Sequence, residues 1–261
     1  MATVNEKMTA IADAIRDKTK RTEPLSLDDM ATEIPEVYEA GKDAQYNEFW
    51  DGFQQKGLRN DYAYACRYWD FEYIRPRHKV VPTAGGMAQI FLRCSNLKKV
   101  ESKYFDFSKL PTPTGASTGN YYTFQFCSNL EEIEDIKMRG EYYSGTFHSC
   151  EKLHTIARLK ILETTAFSAN PFFNCYELAN ITIDGIIGTN GFDVHWSTKL
   201  SRNSILSILE ACKKENAGVS ITLPKKCIDA NTDTLTLIEG DSEMYSAYTT
   251  VLENGYTVAF A

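Results

Sequence analysis

Phe91-Leu92-Arg93-Cys94-Ser95-Asn96-Leu97-Lys98-Lys99-Val100 is a phrase the chain goes on repeating. Its skeleton, Phe-x-x-Cys-x-x-Leu-x-x-Val/Ile, returns as Phe124-Cys127-Leu130-Ile133, Phe147-Cys150-Leu153-Ile156 and Phe172-Cys175-Leu178-Ile181. The cysteines at 94, 127, 150 and 175 step by 33, 23 and 25 residues. Periods in the twenties mark stacked repeats, in which no unit buries its apolar side without a neighbour. The expected fold class is therefore an α/β repeat solenoid, and its function is expected to be binding rather than catalysis.

The remaining composition agrees with a water-soluble binding scaffold. The 261 residues are 43% hydrophobic and 24% charged, with a net charge of −7 and a pI near 5.2. Nucleic acid is excluded as a partner, since phosphate binding needs a basic face. No run approaches the ~20 apolar residues of a membrane span, so membrane insertion is not expected. The polar start Met1-Ala2-Thr3-Val4-Asn5-Glu6-Lys7 lacks the apolar core of a secretory signal, and no sorting motif closes the chain. Cytosolic synthesis without general secretion is the expectation.

Seven cysteines raise the question of disulfides, but the count is odd and four share one repeat position. Equivalent positions on stacked coils lie ~4.8 Å apart, whereas a disulfide requires Cβ atoms at about 3.5–4.5 Å with a defined torsion. A column of buried free thiols beside the phenylalanines is expected, each thiol acting as a small hydrophobe.

Outside the repeats the chain divides in two. Residues 1–60 read as a helical attachment segment, opened by the capping box Thr3–Glu6, with Met8, Ile11 and Ile15 on one stripe. That stripe needs a partner: self-association is the reading, and packing against the Trp69 aromatic region of the same chain is the competing one. Residues 61–190 carry the solenoid behind an aromatic cap (Tyr62, Tyr64, Tyr68, Trp69, Phe71, Tyr73), and the Pro/Thr/Gly run at 111–119 is an inserted loop. Residues 191–261 form an α+β cap. It has a helix over Ser201–Glu215, a strand over Val219–Pro224, a helix opening at Asp241 and a closing strand Tyr256–Phe260.

Sites for chemistry are sparse. His148-x-Cys150-x-x-x-His154 has too few ligands for zinc, and Gly85-Gly86 lacks the Lys-Ser/Thr of a phosphate loop. Glu131-Glu132-Ile133-Glu134-Asp135 lacks the alternation and glycine of a calcium loop. His78 lies in the basic stretch 75–79, read as a solvated turn, and Asp193 and His195 have no nucleophile in a recognisable context. No catalytic, metal or cofactor site is expected. The pairs Tyr121-Tyr122 and Tyr142-Tyr143 stand just upstream of a repeat phenylalanine and are the candidate binding residues.

The repeat, with Ser-Asn between Cys and Leu at 95–96 and 128–129, resembles the BspA-type leucine-rich repeat over some 110 residues. That resemblance implies a right-handed solenoid with parallel strands on one face, found mainly in bacterial surface and host-contact proteins. The chain departs from the family in lacking an Ile-Pro step after most strands. Ile11-Ala12-Asp13-Ala14-Ile15-Arg16-Asp17-Lys18-Thr19, Glu23-Pro24-Leu25-Ser26-Leu27-Asp28-Asp29-Met30 and the stretch 46–55 are similar to the opening of tail or baseplate proteins of phages and prophages of Gram-positive bacteria. Together these imply a virion structural protein that reaches the outside by lysis and presents its repeats to the host. Its partners would be copies of itself, neighbouring tail or baseplate subunits, and a glycan or protein of the host surface. A cell-surface or secreted repeat adhesin is the alternative, and an enzyme the third.

Overall fold

The computed structural model describes residues 66–75, 79–80, 89–104, 122–137, 145–167 and 170–261, with residues 9, 12, 13 and 16, which are helical. The Met8, Ile11 and Ile15 stripe, the loop 111–119 and the rest of segment 1–60 lie outside the described residues.

Each copy of the repeat folds as two successive tight turns followed by a strand. The Cys94, Cys127, Cys150 and Cys175 N–H groups donate to the Phe91, Phe124, Phe147 and Phe172 carbonyls at 3.0–3.1 Å, and the following leucine N–H donates to the cysteine carbonyl. The residue before each cysteine has a positive φ: 61° at Arg93, 62° at Phe126, 59° at Ser149 and 59° at Asn174. This reversal aims phenylalanine, cysteine and leucine inward together. The strands that follow are β1 (Lys99–Val100), β2 (Glu132–Ile133), β3 (Ile136–Lys137), β4 (Thr155–Lys160) and β5 (Asn180–Asp184). They form one parallel sheet, with β2 and β3 both on β4, in which Val100, Ile133, Ile156 and Ile181 share one register position.

Stacking gives a continuous interior. Phe91, Phe124, Phe147 and Phe172 are fully buried, as are Cys94, Cys127, Cys150, Cys175, Leu97, Leu130, Leu153 and Leu178. Successive phenylalanine rings stack at 5.3, 6.1 and 5.5 Å between centroids. All seven cysteines are free and buried. Each repeat thiol donates to a carbonyl of the preceding coil: Cys94 to Cys66, Cys127 to Phe91, Cys150 to Phe124 and Cys175 to Phe147, at 3.0–3.1 Å. Burial pushes Cys94 and Cys175 up to about 12 and Cys127 and Cys150 well above their ordinary value, so these thiols stay protonated and inert.

The pattern extends one unit in each direction. Tyr68 N–H donates to Leu92 carbonyl, Trp69 N–H to Cys66 carbonyl, and Lys98 N–H to Glu72 carbonyl. Tyr73 bridges Lys99 in parallel. Cys66, Trp69, Phe71 and Ile74 thus occupy the Phe, Cys, Leu and Ile places of a coil shortened by one residue. At the other end, Ser197 N–H donates to Val194 carbonyl, Leu200 N–H to Ser197 carbonyl and Ser201 N–H to Ala179 carbonyl. Val194-x-x-Ser197-x-x-Leu200 is a fifth turn pair, in which the Ser197 hydroxyl donates to the Cys175 carbonyl at 3.1 Å. The repeat therefore runs beyond residue 190.

Helix α1 (Arg202–Glu210) stands where a sixth strand would pair. Ser201 caps it, and its serines face β5: Ile181 N–H donates to Ser204 Oγ at 2.9 Å and Ile183 N–H to Ser207 Oγ at 2.8 Å. Ser204 Oγ in turn donates to the Ala179 carbonyl at 2.9 Å. Two hydroxyls replace the ladder of a neighbouring strand and close an edge that would otherwise invite pairing. The helix is shorter than the expected Ser201–Glu215, and the carbonyl of Ala211 is taken by the Ile187 N–H at 2.9 Å.

The rest of the cap is a second parallel sheet, β6 (Phe192–Asp193), β7 (Ser220–Leu223) and β10 (Thr257–Phe260), in the order β10-β7-β6. The hairpin β8 (Lys226–Cys227) and β9 (Thr232–Asp233) leads into α2 (Thr234–Glu239) and α3 (Ser242–Glu253). Arg202 is bidentate on Asp241 at 2.7 and 2.8 Å, tying α1 to the residue that caps α3. That contact holds the Asp241 carboxyl down at about 2. One contiguous apolar core runs from Cys66 to Tyr256.

Candidate functional site

The two turns that point phenylalanine and cysteine inward point most of their intervening residues outward, though Leu92 and Ser149 are buried. Directly before the cysteine place stand Tyr68, Arg93, Phe126, Ser149, Asn174 and Trp196, and directly after the phenylalanine place stand Gln125, His148, Phe173 and His195. These side chains touch across the coils in one line. The Arg93 guanidinium lies 5.7 Å from the Tyr68 ring centre and 5.1 Å from that of Phe126. Phe126 meets His148 at 5.5 Å, His148 meets Phe173 at 4.7 Å, and Phe173 meets Trp196 at 5.0 Å. Tyr176 closes the line 5.9 Å from Trp196, its hydroxyl donating to Asn174 Oδ1 at 2.7 Å.

The result is an aromatic ridge one side chain wide. Tyr68 is 58% exposed, Tyr176 42% and Phe126 37%, while Phe173 and Trp196 are half-buried. The positions are costly ones. Tyr68, Arg93 and Phe126 hold a left-handed backbone that costs a side chain with Cβ roughly 1–2 kcal/mol, where glycine or asparagine would be at ease. Burial lowers the His148 pKa, so its ring sits in the ridge as a neutral aromatic.

Beside the ridge runs an open groove of about 590 Å³, lined by Glu131, Glu151, Lys152, His154, Tyr176 and Glu177. Tyr176 belongs to both. Glu177 pairs with Lys199 at 2.7 Å.

Of the tyrosines marked in the sequence, Tyr121, Tyr142 and Tyr143 lie outside the described residues. Tyr122 is half-buried with φ 50°, its ring laid over Gly145, where an added Cβ would meet ring carbons at 2.3 and 2.5 Å. Among the described residues the exposed aromatics are Tyr68, Phe126 and Tyr176 of the ridge and Tyr245 of α3, and Tyr122 is not one of them. The sequence signal of the ridge was the residue beside each repeat cysteine, masked by the variety of chemistry found there.

The other candidates are occupied by structure. Lys99 reaches Glu132 at 3.0 Å and Glu134 at 3.3 Å, Ser102 N–H donates to Glu134, and Arg158 pairs with Asp135. The acidic run is thus a ladder between coils. Among the described residues no group of three His, Cys, Asp or Glu could hold a metal. Asp193 accepts from Asn170 Nδ2 at 2.9 Å and sits 2.7 Å from His195 Nδ1, which orients His195 against Trp196 in the ridge. His78 lies outside the described residues. No helix among the described residues is long and apolar enough to cross a membrane.

No family model, curated protein or solved structure matches this chain.

Proposed function

We propose that this chain is a structural protein of a phage or prophage virion, of the tail or baseplate type. On this reading its units form a BspA-like leucine-rich-repeat solenoid that presents one surface to the host. The observation that carries the binding role is the line of rings from Phe126 to Tyr176, exposed at both ends and half-buried between, laid over a fully buried phenylalanine column. A rigid interior that holds exposed aromatics gives contact area at little entropic cost, and exposed apolar patches of this kind mark interaction sites. The similarity of the N-terminal segment to tail proteins supports the virion setting and assembly as a trimer, for which the Met8, Ile11 and Ile15 stripe supplies an apolar face.

The test is where the chain is found. Antibody against it should label purified tail particles from an induced culture of the strain that carries its gene, and fluorescent full-length chain should bind host cells. Recovery in the cell-wall fraction with none in particles would favour the adhesin reading instead. Light scattering of the full chain should give three times its 29.5 kDa mass; a monomer would remove the assembly role of segment 1–60.

A further inference from the structure

Resting on that host-contact reading, we propose that the ridge and its groove bind an uncharged, extended polysaccharide. The pyranose rings of the ligand would lie on Phe126 and on the Tyr176–Trp196 corner, and its hydroxyls would donate to the carboxylates of Glu131 and Glu151.

Three observations lead to this ligand class. The first is shape. A protein anchor fills a compact pocket whose centre is apolar and whose rim is polar. Here the rings form a narrow track, with neighbours 5.5, 4.7 and 5.0 Å apart from Phe126 through His148 and Phe173 to Trp196. One ring per coil suits a polymer whose own repeat is one ring. Sugar rings also offer apolar C–H faces to aromatic ones, with their hydroxyls turned sideways.

The second is the flank. The groove of about 590 Å³ falls within the ~300–1,000 Å³ of ligand sites, and Tyr176 is common to it and the ridge. Its acceptors, Glu131 and Glu151, are exposed and line the groove that Tyr176 shares with the ridge.

The third is charge. In the groove Glu131 and Glu151 face one lysine, Lys152, while Glu177 is paired with Lys199, and Arg93 is the cation of the ridge. With its net charge of −7, the chain as a whole repels phosphate-rich or carboxylate-rich polymers. A neutral glycan avoids that repulsion and still uses the acceptors. The left-handed backbone at Phe126 adds weight, since a bulky exposed ring there is held at a conformational cost.

The experiment titrates the full chain with cellohexaose, chitohexaose and maltohexaose, and with poly(glycerol phosphate) as the anionic polymer, by calorimetry and tryptophan fluorescence. At least one hexasaccharide should bind with a Kd below about 1 mM and perturb tryptophan emission. The Phe126→Ala/Tyr176→Ala double variant should weaken it about tenfold or more, while its repeat thiols remain protected. Three results would overturn the proposal: no hexasaccharide binding, equal affinity in the double variant, or binding of poly(glycerol phosphate) alone. Cells separate this inference from the host-contact reading. Cell binding that survives periodate oxidation of surface sugars would point to a protein receptor, overturning the glycan assignment while the host-contact role stands. Hexasaccharide binding without any cell binding would uphold the glycan assignment and remove the host-contact role.

Discussion

Phe124 and Phe126 are two residues apart on one turn and live under opposite rules. Phe124 is fully buried, stacked between Phe91 and Phe147, and Phe126 is 37% exposed between Arg93 and His148. Along the inner column the same residue types recur, because every coil offers the same slot. Along the outer ridge the residues change from Tyr to Arg, Phe, His and Trp, because nothing in the packing dictates them. Stability resides in the repeated positions, and the proposed recognition surface in the varied ones.

The largest effect should come from opening the inner column. Phe147→Ala removes a ring packed on both faces and should cost about 3–5 kcal/mol in urea denaturation. A loss below about 1 kcal/mol would mean that the column is not the core. Next comes the edge of the sheet: Ser204→Ala strips the acceptor from the Ile181 N–H and should cost about 1–3 kcal/mol. Cys150→Ser should be milder, within about 1.5 kcal/mol, because a serine hydroxyl can still donate to the preceding coil and Ser197 already does so from the equivalent place, to the Cys175 carbonyl. A collapse of folding in Cys150→Ser would show that the thiol column requires sulfur.

A smaller, pH-dependent effect belongs to the ridge. His148 has a folded pKa below the ordinary ~6.5, so the unfolded chain takes up its proton first as pH falls. Its contribution is full above about pH 6.5 and is lost as pH falls through the lower folded value. Wild-type urea midpoints should therefore drop between pH 7 and pH 5, and His148→Gln should flatten that slope. An unchanged slope would assign the effect to other groups.

The inner column was readable from sequence because one slot selects one residue type, four times over. The flanking units were not. The Cys66–Ile74 coil has lost a residue and moves tryptophan into the cysteine place, and Val194–Leu200 substitutes both signature residues while keeping the backbone hydrogen bonds of the turns. The hairpin β8–β9 escaped notice for a different reason. Its turn places Ile228, Asp229 and Ala230 at φ values of 53°, 59° and 60° without a glycine to announce it, held by Ala230 N–H on the Thr198 carbonyl at 2.9 Å. The ridge was hidden because its residues share a position and no chemistry, so only the stacking brings them into line. The helix α1 was readable from its Ile205, Ile208 and Leu209 stripe, but the role of Ser204 and Ser207 as stand-ins for a strand was not.

Thiol labelling tests the division between the two sides of the turn most directly. The full chain, Phe124→Ala and Phe126→Ala are each exposed to a thiol reagent without denaturant, and modified cysteines are located by mass spectrometry. The account predicts that Cys94, Cys127, Cys150 and Cys175 stay unmodified in the parent chain and in Phe126→Ala, and that Phe124→Ala opens Cys127 and Cys150 to labelling. Rapid labelling of those cysteines in the parent chain, or equal protection in all three proteins, would contradict it.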